Sequence, residues 1–211
     1  MRHYALFATL FAIAALAGCG SSPKERFYTL SSGAALERSY TKAPYSIAIG
    51  AVTVPEVVNR PQLVTYIAPN QVKIAEQARW AQPLKSEIQR VIADNLTQLL
   101  DGAYVSVYPE NVSLNADYQV RVDVQRFDSA LGDAVTIEAL WTVRPVQGGA
   151  PKNGRSVVRE PTNGNGYDAL VAAHGRALAA VSRDIAEAIR AANASSQSSG
   201  LPDHEPSPTM H

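Results

Sequence analysis

The chain has 211 residues, 46% of them hydrophobic and 18% charged, enough for one domain of ordinary size with a packed core. Lys plus Arg total 19 and Asp plus Glu total 19, so no net field draws in nucleic acid or an anionic surface. A single cysteine excludes an internal disulfide, and with His3, His204 and His211 near the two ends only His174 falls where a metal centre would need ligands.

Met1-Arg2-His3 is a basic head, followed by an apolar run from Tyr4 to Ala15 and then Leu16-Ala17-Gly18-Cys19. The apolar run is too short to span a bilayer, which takes about 20 residues. A basic start, a short apolar stretch and small residues make a secretory signal. A cysteine directly after Leu-Ala-Gly is the lipobox of bacterial lipoproteins, cut before Cys19, which is then acylated. Residues 1–18 are thus read as a signal peptide, Cys19 as the lipidation site and 19–25 as a lipidated linker. Two or more acyl chains, at about 0.8 kcal/mol per buried methylene, make such an anchor effectively permanent. Gly20, where an inner-membrane lipoprotein would carry Asp, favours the periplasmic face of the outer membrane.

The folded region is expected from 26 to 192. Phe27-Tyr28-Thr29-Leu30 reads as a strand, and a polar stretch runs on to Pro44. Tyr45–Val54 alternates large apolar with small or polar residues, a strand stopped by Pro55. Leu63–Ala68 and Val72–Ala75, around Pro69-Asn70-Gln71, read as a hairpin. Pro83 suits the first position of a helix in which Leu84, Ile88, Val91, Ile92, Leu96 and Leu99 share one face. Lys85, Glu87, Gln89, Arg90 and Asp94 are expected on the opposite face, and Asp101-Gly102 ends the helix. Tyr104–Tyr108, Tyr118–Phe127 and Ala134–Val143 read as strands, the last two joined across Asp128–Asp133, with Arg155–Arg159 as an edge strand. An Ala-rich helix over Tyr167–Ala192 follows, and Ser, Pro and Gly in 193–211 predict a disordered tail. Strands, helix, strands, helix point to one α/β or α+β domain with two amphipathic helices on a mixed sheet.

Catalytic patterns are weak. There is no Gly-x-Ser-x-Gly elbow, His174 lies between core-facing Val171 and Leu178, and no two carboxylates stand out as an acid–base pair. Gly164-Asn165-Gly166 opens a helix but lacks the strand and acidic residue of a dinucleotide site, and there is no P-loop. Arg121, Arg126 and Arg144 are dispersed rather than pooled, so no nucleic-acid partner is expected. Two segments are unusual: Asn59-Arg60-Pro61-Gln62-Leu63-Val64, which follows a Pro-broken strand, and Arg79-Trp80-Ala81-Gln82-Pro83-Leu84 at the helix entrance. Trp80 reads as a core plug there, while Arg60 suits either carbonyls of its own loop or a partner.

Together with Phe27-Tyr28-Thr29-Leu30, Ile88 and Asn95-Leu96, these segments resemble the PqiC-like (YmbA-like) lipoproteins, auxiliary components of ABC-type lipid transport systems. The resemblance extends over nearly all of the chain after the signal. Asn59 and Gln82 stand where that family's pattern has Asp and Glu, so two charges are missing. The resemblance implies a three-layer α/β/α sandwich with a mixed sheet, similar to the amino-terminal domain of TolB. It implies no enzyme activity, and on the residues themselves no cofactor and no metal are expected. The implied partner is a mammalian-cell-entry (MCE) domain protein and, through it, an inner-membrane permease and ATPase. Such systems carry lipids between the membranes and support envelope integrity. Asn59, Arg60, Pro61, Gln62, Arg79 and Trp80 are the candidate contacts with that partner or with a neighbouring copy. Three other readings stay open on the residues: a lipid-anchored envelope hydrolase, a lipid carrier in its own right, and an outer-membrane assembly factor.

Overall fold

The computed structural model describes residues 24–32, 45–101, 103–107 and 116–198. Cys19, the signal, the polar stretch before Pro44, Gly102, Tyr108 and the end of the tail lie outside them. The strands are β1 (Arg26–Tyr28), β2 (Ser46–Thr53), β3 (Gln62–Ala68), β4 (Gln71–Trp80), β5 (Tyr104–Val107), β6 (Tyr118–Ser129), β7 (Ala134–Pro145) and β8 (Lys152–Pro161). The helices are α1 (Leu84–Leu99) and α2 (Tyr167–Ser198), and a 3-10 turn covers Glu56–Val58.

Two sheets form. The larger has the order β5-β2-β6-β7-β8 and the smaller β1-β4-β3. β2 is parallel to both β5 and β6, β6-β7-β8 is an antiparallel meander, and β1 runs parallel to β4. The α/β class, mixed pairing and two principal helices are as expected. Both helices lie on the same face of the five-stranded sheet rather than one on each side. The opposite face presents Tyr104, Arg121, Asp123, Arg155 and Val157 to solvent.

Alternation explains which face is covered. Tyr118, Val120, Val122 and Val124 point inward along β6, and a bulge after Val124 lets Phe127 and Ser129 do so too. A bulge between Ile49 and Val52 does the same for β2 and leaves Ala51 outside. Onto this surface α1 presses Ile88, Val91, Ile92 and Leu96, and α2 presses Leu170, Leu178, Val181, Ile185 and Ile189, all essentially inaccessible. Each such side chain stabilises the fold by about 1.5–3 kcal/mol on burial. The helices meet through small residues, with Asn95 Nδ2 donating to Ser182 Oγ at 3.2 Å.

Several details differ from the expectation. β4 runs on to Trp80, because Ala78–Trp80 pairs with β1 and Arg79 also pairs with Gln62 of β3. Glu87 is not on the solvent face of α1 but buried. Its carboxylate accepts the Leu30 N–H at 3.0 Å and the Arg90 guanidinium at 2.8 Å, satisfying a backbone donor left over where β1 ends. The final helix continues to Ser198, with no Gly or Pro between Ala192 and that residue, and Ala192 is the last buried residue among those whose side chains are described.

Candidate functional site

The small sheet brings together the three segments that carry the family resemblance. Phe27 and Gln62 flank Arg79 as register partners from β1 and β3, and Tyr28 lies beside Trp80. Trp80 N–H donates to the Pro61 carbonyl at 2.7 Å, and Ala81 N–H to the Tyr28 carbonyl at 2.8 Å. Residues 17 (Gln62, Arg79) and 52 (Phe27, Arg79) positions apart in the chain thus form one cross-strand row, Phe27–Arg79–Gln62, on the outer side of the sheet.

Each element has a local cause. The Glu56–Val58 turn ends at Asn59, whose amide side chain donates to Glu56 Oε2 at 3.4 Å. Arg60 N–H donates to the Val58 carbonyl at 2.8 Å, so the backbone of 59–61 is held while the Arg60 and Pro61 side chains face outward. Among the described residues the Arg60 guanidinium makes no ion pair. Gln62 is half-buried. Arg79 pairs with Glu25 at 2.9 Å, directly before β1, while its Nε is buried without a hydrogen-bond partner. Phe27 is 62% exposed, a large aromatic left in the open.

Trp80 lies on the other side of this row, buried, with its ring edge-to-face on Phe127 at 6.3 Å and 72°. It is a core plug, and it supports the row from beneath rather than meeting anything outside. Sequence reasoning singled out Arg60, Gln62 and Arg79 but passed over Phe27 as a contact. Its pairing opposite Arg79 depends on a long-range parallel strand that no local pattern announces.

Among the described residues, the one arrangement resembling catalytic machinery is sealed. Ser129 Oγ and His174 Nε2 are 2.8 Å apart, but both residues are buried and the imidazole stacks on Phe127 at 3.9 Å and 4°. His174 Nδ1 has no hydrogen-bond partner, so no acidic residue orients the ring. Burial lowers the His174 pKa to about 3, leaving the ring neutral and a poor base. A structural histidine is the reading that fits. No cluster of three metal-ligating side chains occurs among the described residues, and no helix among them is long and apolar enough to cross a membrane. The surface depression on the outer face of the large sheet, about 360 Å³, is bordered by Gly50, Thr53, Arg121, Asp123 and Leu140 and opens broadly to solvent.

The described residues thus form an α/β domain with a filled core and an arginine-centred row on the outer side of its small sheet. The chain belongs to the ABC-type transport auxiliary lipoprotein component family, whose model matches residues 28–186. No curated protein matches it. Among solved structures it is similar to an uncharacterized protein, with a TM-score of 0.65 and 22% identity over 79% of this chain and 99% of that one. It is similar also to protein XCC0632 from Xanthomonas campestris, of family DUF330, with a TM-score of 0.64 and 18% identity over 83% of this chain and 100% of that one. At these identities the likeness establishes the fold.

Proposed function

We propose that the protein is anchored by acylated Cys19 to the periplasmic face of the outer membrane and serves an MCE-domain lipid transport system as a non-catalytic docking component. A permease and ATPase would be reached through that MCE partner, and the assembly would help keep the envelope intact. Membership of a transport auxiliary lipoprotein family supports this reading, as does the lipobox. The observation that carries it is the convergence of the family's distant segments on one outward row, Phe27–Arg79–Gln62, with Arg60 and Pro61 beside it. Residues needed only for packing would converge inward, as Trp80 does.

The tether limits where this surface can work. From Cys19 to Arg26 the chain spans at most about 25 Å, so the domain stays close beneath its membrane and a partner must come to it. The row mixes Phe27 with Arg60 and Arg79, which suits an acidic, partly apolar partner surface.

The test is co-purification from the native envelope. The wild-type lipoprotein should co-elute with an MCE-domain protein of the same cell. Arg60→Glu should weaken that association at least tenfold and shift Tm little, because an exposed substitution of this kind stays within about 0.5 kcal/mol. Absence of any MCE protein from the wild-type eluate would sink the proposal.

A further inference from the structure

The β3–β4 hairpin extends beyond the core that supports its base. Val64, Thr65 and Ala75 are buried, yet every residue from Ile67 through Ile74 is exposed, so both faces of its outer half are bare. That half carries Ile67 at 57% exposure, Val72 at 38% and Ile74 at 36%, together with Ala68 and Pro69, and Lys73 is its single charge. Tyr66 faces Val72 across the ladder, adding an amphipathic ring at the level where the bare part begins. Isolated exposed apolar residues are ordinary, whereas a cluster at the end of a projecting element marks a contact site.

Strand direction indicates what it contacts. β1 is parallel to β4 with Arg26 opposite Ala78, so the chain preceding Arg26 leaves toward the hairpin end of β4. From Ala78 to Gln71, the first residue of β4, is seven residues, about 23 Å at strand rise. From Arg26 to Cys19 is also seven residues, about 25 Å at full stretch. The tether is therefore no longer than the hairpin beside which it departs. A tether that keeps to the direction of β1 therefore ends no farther out than the level of the hairpin turn, beside Ile67 and Val72.

We infer that the outer half of the β3–β4 hairpin rests in the headgroup–acyl boundary of the membrane that holds Cys19, a second point of attachment that orients the domain. Ile67, Val72 and Ile74 supply the apolar contact, Tyr66 sits at the polar boundary, and Lys73 reaches anionic headgroups along its own methylene stem. Attachment at two points removes the free rotation that one acylated residue would allow, so the Phe27–Arg79–Gln62 row faces a constant direction. The geometry rests on the proposed acylation of Cys19, and the experiment separates the two.

Native lipidated protein is placed in phosphatidylethanolamine–phosphatidylglycerol vesicles whose acyl chains carry spin labels. With the native cysteine blocked by acylation, Val72→Cys takes a fluorophore at the hairpin and Val157→Cys takes one on the outer face of the large sheet. Mass spectrometry of the same samples reports acylation, so an unmodified Cys19 would count against the anchor and not against the hairpin. Quenching at position 72 several-fold stronger than at 157, and abolished when Ile67→Asp and Ile74→Asp are added to the acylated protein, is the expected result. Equal quenching at both positions, or none at 72, overturns the inference. So does shielding of position 72 that rises with protein concentration without lipid, which would assign the hairpin to a second copy of the chain.

Discussion

Two buried ionisable residues carry much of what single substitutions can reveal. His174 is held neutral by burial, with a pKa of about 3 against an ordinary 6.5. Above pH 6.5 the folded and unfolded chains bind the same number of protons at this residue. Between 6.5 and about 3 the unfolded chain binds one more, so stability falls with falling pH by about 1.4 kcal/mol per unit. Denaturant unfolding across that window should show this slope, and His174→Gln should remove its share of it. Glu87 acts differently, by holding the backbone of Leu30 against α1 together with Arg90. Glu87→Ala leaves the Leu30 N–H without its acceptor and should cost about 1–3 kcal/mol in urea unfolding. A glutamate between Ser86 and Ile88 on a helix face reads as solvated, and the long-range donor that draws it inward is invisible to periodicity.

At the level of elements, local patterns were informative where burial is one-sided. β2, β6, β7 and α1 were all evident from alternation or helical spacing, because each presents one face to the core and one to water. β8 is longer than expected, ten residues over Lys152–Pro161 rather than five, since it opens on Lys152, Asn153 and Gly154 and closes on Glu160 and Pro161 rather than on strand formers. Gly154 has a reason to be there. A Cβ at that position would lie 2.1 Å from Cζ2 of Trp141, whose indole crosses the glycine and donates to Ser156 Oγ at 2.9 Å. Gly154→Ala should therefore displace the indole, costing about 1–3 kcal/mol and changing the near-ultraviolet circular dichroism. The candidate row was legible only in part. Its residues stood out in two unusual segments, but their adjacency depends on strand pairings that span the chain.

For the whole molecule, the small sheet is where tether, candidate contact row and projecting hairpin meet. If acylated Cys19 is the anchor, Cys19→Ser should move the protein from the membrane to the soluble fraction and leave its Tm unchanged, because the substitution lies seven residues ahead of β1. Fractionation alongside thermal unfolding checks both halves of that expectation. The two tryptophans offer a further consequence. Trp80 is rooted in the three-stranded sheet and Trp141 in the five-stranded one, each buried or half-buried in its own surroundings. Replacing them singly with Phe leaves one intrinsic emitter per sheet, a separate optical channel for each. Superimposable melting curves from the two channels would make the sheets a single cooperative unit, and a Trp80 channel that melts at the lower temperature would expose the three-stranded sheet as the part that loosens first.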